Sequence, residues 1–142
     1  MGIPTSPADL RDHALALAKA FSVTLFEGSE FKQAPEAAFA VTGYRIVVVA
    51  PIRDETTYAI ALHEIGHLAA PCGELRGNAN LMRAAEDAAW EWARHYALEW
   101  TPLMEKVATW ARSSYDALPA PKPEPPAPVA PIGRQIDWER WK

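Results

Sequence analysis

Tyr58-Ala59-Ile60-Ala61-Leu62-His63-Glu64-Ile65-Gly66-His67-Leu68 is the stretch that decides how this chain folds and what chemistry it can carry. Its first half is apolar and alanine-rich, which suits a buried helix. Asp54, Thr56 and Thr57 offer N-cap chemistry upstream, and Pro71 and Gly73 mark a stop, so the pattern predicts a helix of roughly four turns. Within it, His63 to His67 spells H-E-x-x-H. Residues four apart share a helical face, so His63 and His67 can close on one metal ion. Glu64, one step further round, is placed to reach a water beside the ion rather than the ion itself. Two nitrogen ligands, an open coordination position and a carboxylate base are what zinc-assisted hydrolysis of a peptide bond requires. Gly66 allows close backbone approach, at a cost of about 1 kcal/mol in helix propensity.

Zinc needs a third protein ligand. Leu81 to Leu98 reads as a second helix, with Asn80 as its cap and mostly good helix formers. Its apolar face gathers Met82, Ala89, Ala93, Tyr96, Ala97 and Trp100 at helical spacing. Glu86 falls on that face, whereas Arg83, Asp87, Glu91 and Arg94 fall on the other side. A carboxylate alone among alanines on a buried stripe is expensive unless something pairs with it. Zn²⁺ would pair with it, so Glu86 is the expected third ligand, ahead of Asp87 and Glu91. Cys72, just past the motif helix, could approach the metal as a thiolate, though a small loop residue is the simpler reading. His95 sits almost opposite Glu86, off the pocket. Tyr58 and Tyr96 are candidates to donate a hydrogen bond to a developing oxyanion, with a core aromatic as the plainer role for each. Glu64 is the expected general base, taking a proton from water and passing it to the leaving amine.

These residues resemble a known family. His63 to His67, followed by Glu86-x-x-Ala89-x-x-Trp92-Ala93, looks like the ImmA/IrrE family of zinc metallopeptidases. Members typically show H-E-x-G-H, then E-x-x-A-x-x-F-A, then a leucine-rich run ending in proline, with an extended apolar stretch before the first motif. Tyr44 to Ala50 fits that stretch. Trp92 stands where phenylalanine is usual, and Tyr96-Ala-Leu-Glu-Trp-Thr-Pro102 replaces the leucine-rich run. The resemblance covers roughly residues 10 to 102. It implies a gluzincin-like core with the downstream glutamate as third ligand, and a sheet edge that holds substrate as an added strand. It also implies a substrate: a helix-turn-helix repressor protein, with any contact to DNA indirect. A phage or prophage setting, in a bacterial host cell, goes with that reading.

The remaining sequence completes the expected architecture. Ser6-Pro7-Ala8-Asp9 opens a first helix with serine as cap and proline at its first position, and Leu10, Ala14, Leu17 and Phe21 form its apolar stripe. His13 on that helix reads as a surface residue. Val23 to Phe26, Ala38 to Val41 and Tyr44 to Val49 read as strands, the last two joined by a Thr42-Gly43 turn. Thr101-Pro102 starts a last helix through Trp110 to about Ala117. The expected fold is therefore a small α+β, zincin-like domain over residues 1–118, with a mostly antiparallel sheet packed on the motif helix and the ligand-bearing helix that follows. Residues 119–131 hold seven of the chain's 13 prolines and read as an extended polyproline II linker. Residues 132–142 add Ile132, Ile136, Trp138 and Trp141, which either complete the domain's core or grip a partner or the domain's own cleft.

Composition narrows the function further. With 14 basic and 18 acidic residues the net charge is −4, and no run of lysine or arginine appears, so direct nucleic-acid binding is not expected. No segment has the apolar length to span a bilayer, and the N-terminus lacks a signal peptide's pattern. A single cysteine excludes an internal disulfide and makes the cytoplasm the default compartment. The principal alternative is a catalytically silent zinc-binding module that works through protein–protein contacts, as in phage assembly or as an anti-repressor. A zinc hydrolase acting on a non-protein amide is a further one. Glu64 argues for the enzyme, because a structural site has no use for a carboxylate beside two histidines and is more often closed by cysteines.

Overall fold

The polar start of the first helix folds as its residues dictate. Ser6 Oγ accepts a hydrogen bond from the Asp9 amide at 3.1 Å, and Asp9 Oδ2 accepts one from the Ser6 amide at 3.2 Å. The reciprocal pair satisfies end groups the helix itself leaves open, worth about 1 kcal/mol. This helix, α1, runs Pro7–Ala20 and buries Leu10, Ala14 and Ala18. The computed structural model describes residues 6–71, 77 and 79–116. Cys72, the proline-rich stretch 119–131 and the tryptophan-bearing segment 132–142 lie outside the described residues.

Three short strands follow: β1 (Thr24–Glu27), β2 (Phe39–Val41) and β3 (Ile46–Val49). They form one sheet in the order β1-β3-β2. The class is α+β, but the sheet is mixed rather than mostly antiparallel. β2 and β3 are joined by a tight turn over Thr42–Tyr44, closed by Arg45 in the left-handed region (φ 52°), and so pair antiparallel, Val41 opposite Ile46. β1 instead pairs parallel with β3, Thr24 opposite Ile46 through Glu27 opposite Val49. Parallel neighbours need a long crossover, and the excursion through the 3₁₀ turns Ser29–Phe31 and Pro35–Ala37 and through β2 supplies it. Val47 and Val49 of the central strand are fully buried.

The second helix, α2 (Glu55–Ala69), is capped by Asp54, whose Oδ1 accepts from the Thr57 amide at 2.8 Å. Thr57 Oγ1 returns the bond, accepting from the Asp54 amide at 3.1 Å. Burial is nearly continuous from Thr57 to Leu68, because α1, the sheet and both later helices pack around α2. Helix α3 (Ala79–Tyr96) opens one residue before the expected cap, so Asn80 lies in its first turn. Helix α4 (Pro102–Asp116) starts at the proline, with Thr101 Oγ1 accepting from the Met104 amide at 3.2 Å. The α2–α3 crossing is close at Gly66, where a Cβ would stand 2.7 Å from the Ala89 carbonyl oxygen. No described helix is long and apolar enough to cross a membrane.

Candidate metal centre

The helical spacing of α2 puts His63 and His67 on one face, and the close crossing at Gly66 brings α3 near enough for Glu86 to meet them. His63 Nε2 lies 2.5 Å from Glu86 Oε2, His67 Nε2 lies 3.1 Å from Glu86 Oε1, and the two Nε2 atoms are 3.1 Å apart. All three side chains are buried, at 8%, 5% and 4% exposure for His63, His67 and Glu86. A tetrahedral ion with bonds of about 2.0–2.1 Å needs donors about 3.3 Å apart. The donor atoms of the three residues converge more tightly than that, so a small outward shift lets the group hold a metal ion. Among the described residues no further histidine, cysteine or acid joins it, which leaves out Asp87, Glu91 and His95.

Glu64 sits beside this set, 4% exposed. Its Oε2 accepts from His63 Nδ1–H at 3.0 Å, while Oε1 is buried with no hydrogen-bond partner among the described residues. A buried acceptor left unpaired is costly and is seldom kept without a use. The carboxylate thus does two things at once: one oxygen orients His63, as outer partners of metal-binding histidines commonly do, and the other is available to accept a proton.

The electrostatics agree with a site built for a cation. Burial alone would lower the basicity of His63, but the charges of Glu86 and Glu64 outweigh it and push its pKa up to about 10. Burial would likewise raise Glu86, yet His63, then His67, hold its carboxyl well below the usual carboxylate range. In the metal-free chain a proton on His63 stands where a metal charge would.

Trp90, which the sequence reading did not assign, completes the site. Its indole, 1% exposed, stacks on the His63 ring with centroids 4.2 Å apart and planes inclined by 15°. The signal was its place four residues after Glu86, on the same face of α3. A cleft of about 300 Å³ opens beside the group, floored by His63, Glu64, Glu86 and Trp90 and walled by Ile60 and by Val107, Trp110 and Ala111 of α4.

Tyr58 and Tyr96 do not line this cleft. The Tyr58 hydroxyl bonds to His13 Nδ1 at 2.7 Å and accepts from the Leu98 amide at 2.8 Å, tying α1, α2 and the end of α3 together. His13 is therefore half-buried and partnered rather than a plain surface residue. Tyr96 packs with Phe21 and Trp92 on another face, beside Pro71 and His95. Neither tyrosine is positioned to meet an oxyanion at Glu64. No protein-family model, curated protein or solved structure matches the chain.

Proposed function

We propose that this chain is a zinc-dependent endopeptidase. The observation that carries the reading is the buried convergence of His63, His67 and Glu86 with an unpaired carboxylate oxygen of Glu64 beside them, all opening on one cleft. Two imidazoles and one carboxylate are the donor set of hydrolytic zinc sites, whereas structural sites take a fourth protein ligand, usually a thiolate. Zinc, when bound there, supplies Lewis-acid chemistry, acidifying water and polarising a carbonyl oxygen. Glu64 Oε1 takes the proton from the attacking water and returns it to the departing amine. Glu64 Oε2 and the Trp90 ring fix the His63 imidazole, so the base and the ligand it orients share one helical turn.

Strand β2 lies at one side of the described sheet, and Glu36 and Ala37, just before it, line the cleft. The resemblance of the two motifs to the ImmA/IrrE family supports a helix-turn-helix repressor as the protein substrate. The contact between Glu64 Oε2 and His63 Nδ1 also fits the alternative, a zinc-holding module without catalysis.

One comparison separates the two. Wild type, Glu64→Gln, His63→Ala and Glu86→Ala are assayed for zinc by elemental analysis and for cleavage of a mixed peptide pool. For the peptidase, Glu64→Gln keeps zinc and loses about a hundredfold or more in rate, the usual share of a general base. Both ligand variants lose zinc. Wild type that holds zinc and cuts nothing supports the binding module.

A further inference from the structure

Helix α4 carries no residue of the metal group, yet it forms one wall of the cleft. Val107, Trp110 and Ala111 fall at i, i+3 and i+4, so they make one continuous stripe along the helix. Met104 and Ala108, fully buried, pack into the core on the neighbouring stripe. The cleft-facing stripe is different: Val107 and Ala111 are half-buried, and Trp110 is 64% exposed at the rim. A large indole mostly in water beside a metal-capable site contributes little to the described core. Trp at the rim of a cleft is the kind of residue that carries binding energy once a ligand covers it.

Size and charge define what would cover it. A cleft of about 300 Å³ lies at the small end of ligand sites, enough for one large side chain and adjoining backbone, and too small for a folded element. Ile60 of α2 lines the same cleft, so α2 and α4 both give it apolar walls. The titratable lining residues are Glu36, Glu64, Glu86 and His63, with no lysine or arginine among them. Away from the His63, His67 and Glu86 group, the cleft offers an acidic side chain no lysine or arginine to pair with, only Glu36 and Glu64.

We propose that the stripe Val107, Trp110 and Ala111 is the specificity subsite of this chain, and that it takes one leucine- or phenylalanine-sized side chain next to the bond at Glu64. The inference rests on the peptidase reading for the word "bond", but not for the subsite itself. Ala111 sets the depth, since its small side chain leaves room that a larger residue would fill. Trp110 covers the guest from the solvent side.

The test reads binding and cleavage separately. Capped peptides of alanine and glycine carry a single Leu, Phe, Ala or Asp. Calorimetry on zinc-loaded, full-length Glu64→Gln measures binding without turnover, and mass spectrometry locates cuts made by wild type. The Leu and Phe peptides are expected to bind at least about tenfold tighter than the Ala peptide, the discrimination an apolar pocket gives. Cuts are expected to fall beside Leu or Phe. Ala111→Phe, added to Glu64→Gln, should collapse the Leu-to-Ala ratio toward one, with zinc content reporting that the fold survives. Trp110→Ala, at an exposed position that threatens folding least, should lower the same ratio several-fold. Equal binding of Leu and Ala peptides, absent binding included, overturns the subsite, as does a preference that neither variant changes. Preferential binding without cleavage keeps the subsite and removes the peptidase. Cleavage without preference does the reverse.

Discussion

The indole of Trp90 lies flat on the imidazole of His63, with ring centroids 4.2 Å apart and planes inclined by 15°. With Glu64 Oε2 on Nδ1, this stack leaves the His63 ring one orientation, Nε2 toward His67 and Glu86. The imidazole is held in place by a residue outside the group that could hold a metal ion. Trp90→Ala should cost about 3–5 kcal/mol of stability, the usual range for removing a buried Trp. Trp90→Phe keeps a ring over His63 and removes an indole N–H that has no partner among the described residues. It should cost only about 1–2 kcal/mol, the cavity being partly offset by the lost unpaired donor. Denaturant unfolding gives the stabilities, and zinc titration should show Phe close to wild type and Ala weaker. Equal zinc affinity in both variants would remove the positioning role.

Gly66 supplies a second contrast, with Gly43 as its control. A Cβ at Gly66 would stand 2.7 Å from the Ala89 carbonyl oxygen and 3.1 Å from its Cα, both backbone atoms of α3. The helices must then move apart, and the move pulls Glu86 away from His63 and His67. Gly66→Ala should therefore lose more than the roughly 1–3 kcal/mol typical of overpacking, despite alanine's better helix propensity, and should weaken zinc binding as well. At Gly43 a Cβ meets nothing within 4 Å, so Gly43→Ala should leave both within error of wild type. A thermal melt of the two variants side by side decides it.

The group that could hold a metal ion was legible because each of its residues carries a local signature. His63 and His67 are four apart on one apolar helix, and Glu86 is an isolated carboxylate on a buried stripe. Capping at Ser6, Asp54 and Thr101 was legible for the same reason, since caps are set by neighbours in sequence. What escaped is what depends on distant residues. The β1–β3 pairing is parallel, and strands of four residues carry no periodicity that distinguishes it from antiparallel. Tyr58 finds His13 across 45 positions of sequence, so its hydroxyl looked free for catalysis. Trp110 and Ala111 lie more than forty positions beyond the motif, and only the folded chain brings α4 to the cleft.

Tyr58 offers a direct check on the discarded oxyanion role. Its hydroxyl bridges His13 Nδ1 and the Leu98 amide. Burial first, and Glu99 further, push its pKa up to about 12 against the opposing Leu98 bond. Tyr58→Phe leaves both partners short of a bond inside the protein, which costs about 1–3 kcal/mol. Zinc content and, if the chain cleaves peptides, the rate per folded molecule should stay as in wild type. A rate loss of a hundredfold with unchanged stability would restore the catalytic assignment.

Protons and metal compete for the same donors, which fixes a pH dependence. In the metal-free chain His63 is pushed up to about 10 because Glu86 and Glu64 outweigh its burial, so at neutral pH it carries a proton. Glu86, held low by His63 and His67 against its own burial, is ionised there. Zinc can bind Nε2 only after His63 gives up its charge, so each binding event below about pH 10 expels a proton. Apparent zinc affinity should then rise with pH by about tenfold per unit across the neutral range, and level off once His63 is deprotonated in the free site. The same raised pKa gives the metal-free fold a stability contribution fully present below the ordinary 6.5 and lost as pH rises through about 10. Metal-free protein should accordingly weaken toward alkaline pH, while zinc-loaded protein does not, because the metal replaces the proton as partner of Glu86. Calorimetry of zinc binding at pH 7 in buffers of different ionisation enthalpy counts the released proton. An affinity that is flat from pH 6 to 9, with no proton released, would mean that His63 is already neutral in the free chain and that Glu64 and Glu86 do not share its charge.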